Sequence, residues 1–176
     1  MRKAIFLDRD GVVNHSVVKN GKPYPPRTLS ELKIIEGSAE AIRILNKSYL
    51  VFIITNQPDI SRGTLTNANL NLIHSYLLKT LEINEIFTCT HDDHDKCFCR
   101  KPKPGMIVSA AKKYNIDLKK SYVVGDRWKD IEAGINAGCK TVFIDYGYSE
   151  KKPENYDHAV KTLLEFTHKL TKKDEN

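Results

Sequence analysis

Two aspartates, Asp8 and Asp10, follow directly on the apolar run Ala4-Ile5-Phe6-Leu7. A short apolar run of this kind predicts a buried strand. If strand geometry continues to Asp10, the period of two puts both side chains on one side, above the strand's C-terminal end. Two carboxylates facing one cavity repel each other, and a hard cation such as Mg²⁺ rewards keeping both. Gly11 lets the chain turn away there without a Cβ in the cavity.

Phosphoryl transfer through a carboxylate nucleophile needs an acid to attack phosphorus, a second acid to protonate the leaving oxygen, and a cation to screen both. It also needs donors on the equatorial oxygens, where charge spreads. Asp8 reads as the nucleophile and Asp10 as the general acid that later activates water. Asp126 would complete a Mg²⁺ site with Asp8 and the Asp10 backbone carbonyl, while Thr55 and Lys101 would hold phosphate oxygens.

A second set of ligands suits a softer metal. Cys89-Thr90-His91 and Cys97-Phe98-Cys99 form two tight pairs separated by five residues. Three thiolates and an imidazole make a closed tetrahedral Zn²⁺ set. His94, between the pairs, is the weaker choice for the fourth ligand, and the remaining cysteine, Cys139, is expected to be buried.

Something must bring these residues together. Leu50 to Ile54, Glu85 to Thr90, Ser121 to Val124 and Lys140 to Ile144 read as further strands, the third of the five weaker than the rest. Helices are expected from Ser38, from the N-cap Thr66 through Leu81, from Pro104, and from Gly125-Asp126 to a C-terminal Gly138. Ala159, Leu163, Phe166 and Leu170 mark a last amphipathic helix, and a disordered tail is expected from about residue 171. His15 to Pro26 reads as a loop or short hairpin over the carboxylate edge. Alternating strands and helices imply an α/β fold: a Rossmann-like parallel sheet with helices on both faces. Asp8/Asp10, Thr55/Asn56 and Asp126 each follow a different strand, so all three groups meet at one sheet edge, where such folds bind ligands.

Composition bounds the setting. At 176 residues, 40% hydrophobic and 28% charged, the chain suits one soluble domain. No apolar run is long enough to span a membrane, and the basic Met1-Arg2-Lys3 is followed by too few apolar residues for a secretory signal, so a cytoplasmic protein is expected. The net charge of +6 permits anionic partners. Its lysine pairs are dispersed, which speaks for a small phosphorylated substrate and against nucleic acid. A monomer is expected.

Asp8-Arg9-Asp10-Gly11, Thr55-Asn56-Gln57, Lys101 and Gly125-Asp126-Arg127-x-x-Asp130 resemble the four motifs of the haloacid dehalogenase (HAD) superfamily of phosphatases. The match runs from Lys3 to about Asp145. It implies a Rossmann-like core, Mg²⁺ dependence and an aspartyl-phosphate intermediate. Neither the span from Asn14 to Thr55 nor that from Gln57 to Arg100 is large enough for a cap domain, so a capless core with an open site is expected. The segment from Cys97 to Met106 resembles the zinc loop of a subfamily acting on heptose 1,7-bisphosphate and histidinol phosphate. That resemblance implies a structural zinc, with Arg100 recognising substrate and Lys101 steadying the transferring phosphoryl group. It also places Asn14, Asn56, Gln57 and Arg127 in the substrate shell. A phosphorylated sugar, heptose 1,7-bisphosphate first and histidinol phosphate second, is the expected substrate. A polynucleotide 3′-phosphate and a non-catalytic zinc module are weaker alternatives. The chain departs from the subfamily at Pro58-Asp59, where an extra carboxylate close to the pocket would favour an amine-bearing substrate.

Overall fold

A computed structural model describes residues 1–174, with side chains to residue 172. The elements run β1 (Ala4–Leu7), β2 (Val17–Lys19), β3 (Lys22–Tyr24), α1 (Ser38–Leu45), β4 (Leu50–Asn56), α2 (Asn67–Thr80), β5 (Glu85–Cys89), α3 (Gly105–Tyr114), β6 (Tyr122–Gly125), α4 (Trp128–Ala137), β7 (Lys140–Ile144), β8 (His158–Val160) and α5 (Leu163–Asp174). Six strands form a parallel sheet in the order β5-β4-β1-β6-β7-β8, and β2-β3 is a separate antiparallel hairpin. Among the described residues, no helix is long and apolar enough to cross a membrane.

The apolar strands are continuous because both faces of the sheet are covered. On one side Ile5, Leu7, Val51, Ile53 and Val124 pack with Ala41, Ile42, Ile73, Leu77, Phe166 and Leu170 from α1, α2 and α5. On the other, Ala4, Phe6, Phe52, Ile54 and Val123 meet Met106, Ile107, Ala110 and Ala133 of α3 and α4. Each of the Val, Leu, Ile, Phe and Met side chains contributes roughly 1.5–3 kcal/mol when fully buried. The packed sheet therefore supplies rigid strand ends on which charged groups can be held.

Register aligns those ends. Leu7 lies beside Ile53 on β4 and Val124 on β6. The amide of Asp8 continues the ladder by donating to the Val124 carbonyl at 2.9 Å. The residues just past β1, β4 and β6 therefore emerge side by side at one edge. The connections flanking it are short: the β2-β3 hairpin, residues 57–66 and residues 90–104.

Most element boundaries match the sequence reading. Thr66 caps α2 by accepting from the Asn69 amide at 3.2 Å, and Gly138 closes α4 with φ +78°. Three expectations need correction. Ala159 lies in the edge strand β8, and the last helix starts only at Leu163. That helix continues to Asp174, so residues 171–174 are helical where a disordered tail is expected, and residues 175–176 lie outside the described residues. Strand β1 ends at Leu7, so the shared orientation of Asp8 and Asp10 does not come from strand alternation. A tight turn takes over, in which the Gly11 amide donates to the Asn14 carbonyl at 2.7 Å.

Candidate active site

Asp8 extends from the end of β1 into the floor of a cavity of about 260 Å³ at the carboxyl edge. Its Oδ1 accepts from the Arg9 amide and from Lys101 Nζ, both at 2.8 Å. Lys101 is 3% exposed and spends its ammonium donors on Asp8, on the Ile54 carbonyl at 2.9 Å and on Asp130 Oδ1 at 2.5 Å. Asn56, at the end of β4, grips the Lys101 backbone in both directions: Nδ2 donates to its carbonyl and Oδ1 accepts from its amide, each at 3.1 Å. Asn56 still lines the cavity, but its amide is committed to fixing Lys101.

Asp126 and Asp130 flank this pair from the β6-α4 turn. Carboxylate oxygens of Asp8, Asp126 and Asp130 all lie within 4.8 Å of one another. Such crowding is possible because two neighbours lack a Cβ. A Cβ on Gly11 would sit 1.9 Å from Asp126 Oδ2, and one on Gly125 would sit 2.1 Å from the Asp130 Cβ. Burial, followed by the Asp130 charge, pushes the Asp8 carboxyl up to about 7, with Lys101 pulling the other way. Burial, then the Asp8 charge, raises Asp126 well above the usual carboxylate range. Burial alone would lower the Lys101 ammonium, but Asp130 and Asp8 hold it above its ordinary value. Asp126 Oδ1 is buried without a hydrogen-bond partner among the described residues. An all-oxygen set with one uncommitted oxygen and mutual repulsion fits a hard divalent cation. Asp130 belongs to this set, although the sequence reading names it only as part of a motif.

Asp10 also faces the cavity, yet its carboxylate lies outside that cluster. Four donors reach it: Arg9 Nε and Nη2 at 3.1 Å, Asn14 Nδ2 at 2.9 Å and Gln57 Nε2 at 2.9 Å. Any share Asp10 has in a cation site therefore falls to its backbone carbonyl. Asn14 and Gln57 are fully buried, do not line the cavity, and use their amides to hold Asp10. The structure therefore places both as supports of Asp10. Arg9, fully buried, is a residue sequence reasoning missed; its Nη1 lies 3.0 Å from His74 Nε2 on α2. Burial, then the Arg9 charge, lowers His74 to about 4, so the imidazole is neutral at ordinary pH. Thr55 is buried beside them, and its Oγ1 accepts from Gln57 Nε2 at 2.7 Å.

The cavity rim is basic. Lys22, Arg62, Arg100, Arg127 and Lys129 line it together with Asp59 and Asp93. Arg100 is oriented by Asp93 at 2.7 Å and by the His91 carbonyl at 3.1 Å. Arg127 is oriented by Glu150, with Nε at 2.8 Å. Asp59 is 5% exposed and paired with Arg27 at 3.0 Å and Arg62 at 3.7 Å. Its charge is neutralised from both sides, which removes the expected attraction for an amine.

Beside the rim, Cys89 Sγ, His91 Nδ1, Cys97 Sγ and Cys99 Sγ form one cluster, with the recorded pairs 3.2–3.7 Å apart. A tetrahedron with Zn–S bonds of about 2.3 Å has S···S edges of about 3.8 Å, so the spacing suits a single tetrahedral ion. Burial pushes the Cys89 thiol up, a cost that a soft cation would offset. His94 is excluded from the set and is 79% exposed. The cluster lies next to Arg100 and Lys101 in sequence, and the Gly105 amide ties the loop to α3 through the Phe98 carbonyl at 3.2 Å. Cys139 is buried elsewhere, as expected.

Known proteins are similar to this chain along most of its length. A family model described as HAD-hydrolase-like matches residues 98–166. The D-glycero-alpha-D-manno-heptose-1,7-bisphosphate 7-phosphatase of Campylobacter jejuni is 34% identical, over 98% of this chain and 98% of its own length. The D-glycero-beta-D-manno-heptose-1,7-bisphosphate 7-phosphatase of Pseudomonas putida is 37% identical, over 86% of this chain and 87% of its own. The crystal structure of D,D-heptose 1,7-bisphosphate phosphatase from Bordetella bronchiseptica, complexed with magnesium and phosphate, superposes with a TM-score of 0.82 at 32% identity, covering 97% of this chain and 99% of that one. With likeness of this extent along the whole chain, the protein belongs to the HAD-like hydrolases, in the branch of phosphatases that contains the heptose 1,7-bisphosphate 7-phosphatases.

Proposed function

We propose that the chain hydrolyses the 7-phosphate of a D-glycero-D-manno-heptose 1,7-bisphosphate, with Asp8 as nucleophile. The observation that carries the reading is Asp8 itself: a carboxylate on the floor of a basic-rimmed cavity, with one oxygen held by Lys101 and the Arg9 amide. Those bonds leave Asp8 Oδ2 to attack phosphorus. The P–O bond to the sugar breaks, and Asp10 delivers its proton to the departing oxygen. Asp10 then takes a proton from water as that water attacks the aspartyl-phosphate, which releases inorganic phosphate and restores Asp8. Lys101 lines the cavity beside Asp8, where its charge would offset that of the incoming phosphoryl group. Thr55 Oγ1 accepts a hydrogen bond from Gln57 Nε2, so its own hydrogen is left to donate. Asp8, Asp126 and the Asp10 carbonyl would hold Mg²⁺, with Asp130 alongside; bound there, the ion screens the carboxylates from the phosphate dianion. Cys89, His91, Cys97 and Cys99 would hold a structural Zn²⁺ that fixes the approach of Arg100.

The rim argues for a bisphosphate. A second phosphate dianion leaves the reaction unchanged, so a site that prefers it must bind the remote charge. Arg127, held by Glu150 along its Nε–Nη2 edge, keeps further N–H groups for a planar, two-pronged contact. Arg100, held by Asp93, the His91 carbonyl and, at 3.6 Å, Asp92, keeps fewer. Histidinol phosphate brings a cationic amine, which this rim repels. Relatives named for the alpha and for the beta anomer are equally similar, so the anomer is set by finer contacts.

Phosphate release should be compared for heptose 1,7-bisphosphate, histidinol phosphate and a 3′-phosphorylated oligonucleotide. The bisphosphate should lead in kcat/KM by at least ~100-fold, about 2.7 kcal/mol of differential transition-state binding. Arg100→Ala should shrink that lead and leave slow hydrolysis of small monophosphates nearly unchanged. Equal or better turnover of histidinol phosphate would overturn the assignment.

A further inference from the structure

The segment after β7 crosses the carboxyl edge as a strap and touches two consecutive residues of the site. Tyr148 Oη donates to Asp126 Oδ2 at 2.9 Å. Two positions on, the Glu150 carboxylate accepts from Arg127 Nε at 2.8 Å. The strap is fixed at several other points. The Ser149 amide donates to the Gly21 carbonyl in the β2-β3 turn at 3.0 Å. Lys152 Nζ and the Gly147 amide both donate to Asp145, at 2.7 and 2.8 Å, which closes the loop on itself. The Tyr148 ring packs against Tyr146, with centroids 5.7 Å apart.

This geometry leaves Asp126 little freedom. Its Oδ2 is caught between the Tyr148 hydroxyl and Gly11, whose missing Cβ would sit 1.9 Å from that oxygen. With Oδ2 held, the plane of the carboxylate is set. The opposite oxygen, Oδ1, is the buried atom without a partner, on a carboxylate that clusters with those of Asp8 and Asp130. A group that donates to the far oxygen of a liganding carboxylate orients the near one before the cation arrives. Nothing else among the recorded side-chain hydrogen bonds of Asp126 does this.

We propose that Tyr148 is a positioning residue for the cation site: its hydroxyl holds Asp126 so that Oδ1 is already aimed at a divalent ion. The inference rests on the cation reading given above, and not on the identity of the sugar. Tyr148→Phe keeps the ring and its packing but removes the one donor, so the fold is retained.

The test is calorimetric titration of Mg²⁺ into chelator-treated protein at about pH 8, with wild type, Tyr148→Phe and Tyr146→Phe compared. Tyr146 packs in the same strap, and no recorded hydrogen bond links it to Asp126, so its variant controls for general loosening. Tyr148→Phe should raise the Mg²⁺ Kd on the order of 10-fold, whereas Tyr146→Phe should stay within about twofold of wild type. The kcat of Tyr148→Phe should recover as Mg²⁺ is raised to saturation, a split that a merely structural role would not give. A Tyr148→Phe Kd within about twofold of wild type, or an equal loss in both variants, overturns the proposal. Wild type that takes up no Mg²⁺ would defeat the cation reading itself, an outcome distinct from the failure of Tyr148 alone.

Discussion

Lys101→Met tests how the site is held together. The substitution keeps a linear apolar stem and deletes the ammonium that bonds Asp8, Asp130 and the Ile54 carbonyl. Lys101 and Asp130 are 3% and 2% exposed and Asp8 is 7%, so solvent screening gives little relief. Removing one partner of a buried ion pair costs roughly 3–5 kcal/mol, because the other charge is left uncompensated. The loss should depend on pH. The Asp8 carboxyl already stands at about 7 with Lys101 present, against an ordinary value of 3.8. Between those values the folded state binds a proton that the unfolded chain releases, so a charged Asp8 costs stability above pH 7 and a protonated one does not. Urea unfolding of chelator-treated protein should therefore show a loss of roughly 3–5 kcal/mol at about pH 8 and a smaller one at about pH 5.5. With Mg²⁺ present, kcat should fall by about 10²–10³-fold, the usual effect of losing one donor at a reacting group. A loss below about 1 kcal/mol at pH 8, or one that grows on acidification, would refute the reasoning.

Other perturbations follow from the same geometry. Asp8→Asn should cut kcat by at least ~10³-fold, about 4 kcal/mol, yet raise the melting temperature of metal-free protein at pH 8 by removing a repelled buried charge; a destabilised variant in thermal melts would contradict this. Wild-type metal-free protein should itself lose stability as pH rises from about 4 to 7, the interval in which Asp8 keeps its proton only when folded, and Mg²⁺ should raise the melting temperature more at pH 8 than at pH 6. Elemental analysis of protein purified without chelator should find about one zinc per chain, and Cys99→Ser should depress activity more than stability because Arg100 and Lys101 follow directly.

The sheet and the meeting of Asp8/Asp10, Thr55/Asn56 and Asp126 at one edge were legible in the sequence, since apolar runs mark strands and parallel strands bring their C-terminal ends together. Lys101 follows no strand, and only its motif pointed to the site. The cysteine-histidine cluster was legible for a similar reason: its ligands lie close along the chain, so spacing alone constrains them. What stayed hidden depends on contacts between distant segments. Asn14 and Gln57 look like substrate residues until Asp10 is seen to take their donors. Nothing in the sequence marks Arg9 as buried, and Asp10 and His74 are the partners that hold it inside. Asp59 reads as a free negative charge, but Arg27, remote in sequence, and Arg62 neutralise it. Tyr148 and Glu150 sit in a stretch with no periodicity at all, and only the fold of the strap brings them to Asp126 and Arg127. Strand β8 was missed because three residues carry no recognisable alternation, and Ala159 merged with the helical spacing that follows.

The central claim is that Asp8 attacks phosphorus and carries the phosphoryl group. Acid quench during turnover, followed by borohydride reduction and peptide mass spectrometry, reads this directly, because an acyl phosphate is reduced to an alcohol and a free carboxylate is not. The reduced residue is expected at position 8, dependent on substrate and absent in Asp8→Asn. Rapid phosphate release with position 8 unmodified at every quench time, or with the modification at Asp10 or Asp126, would contradict it.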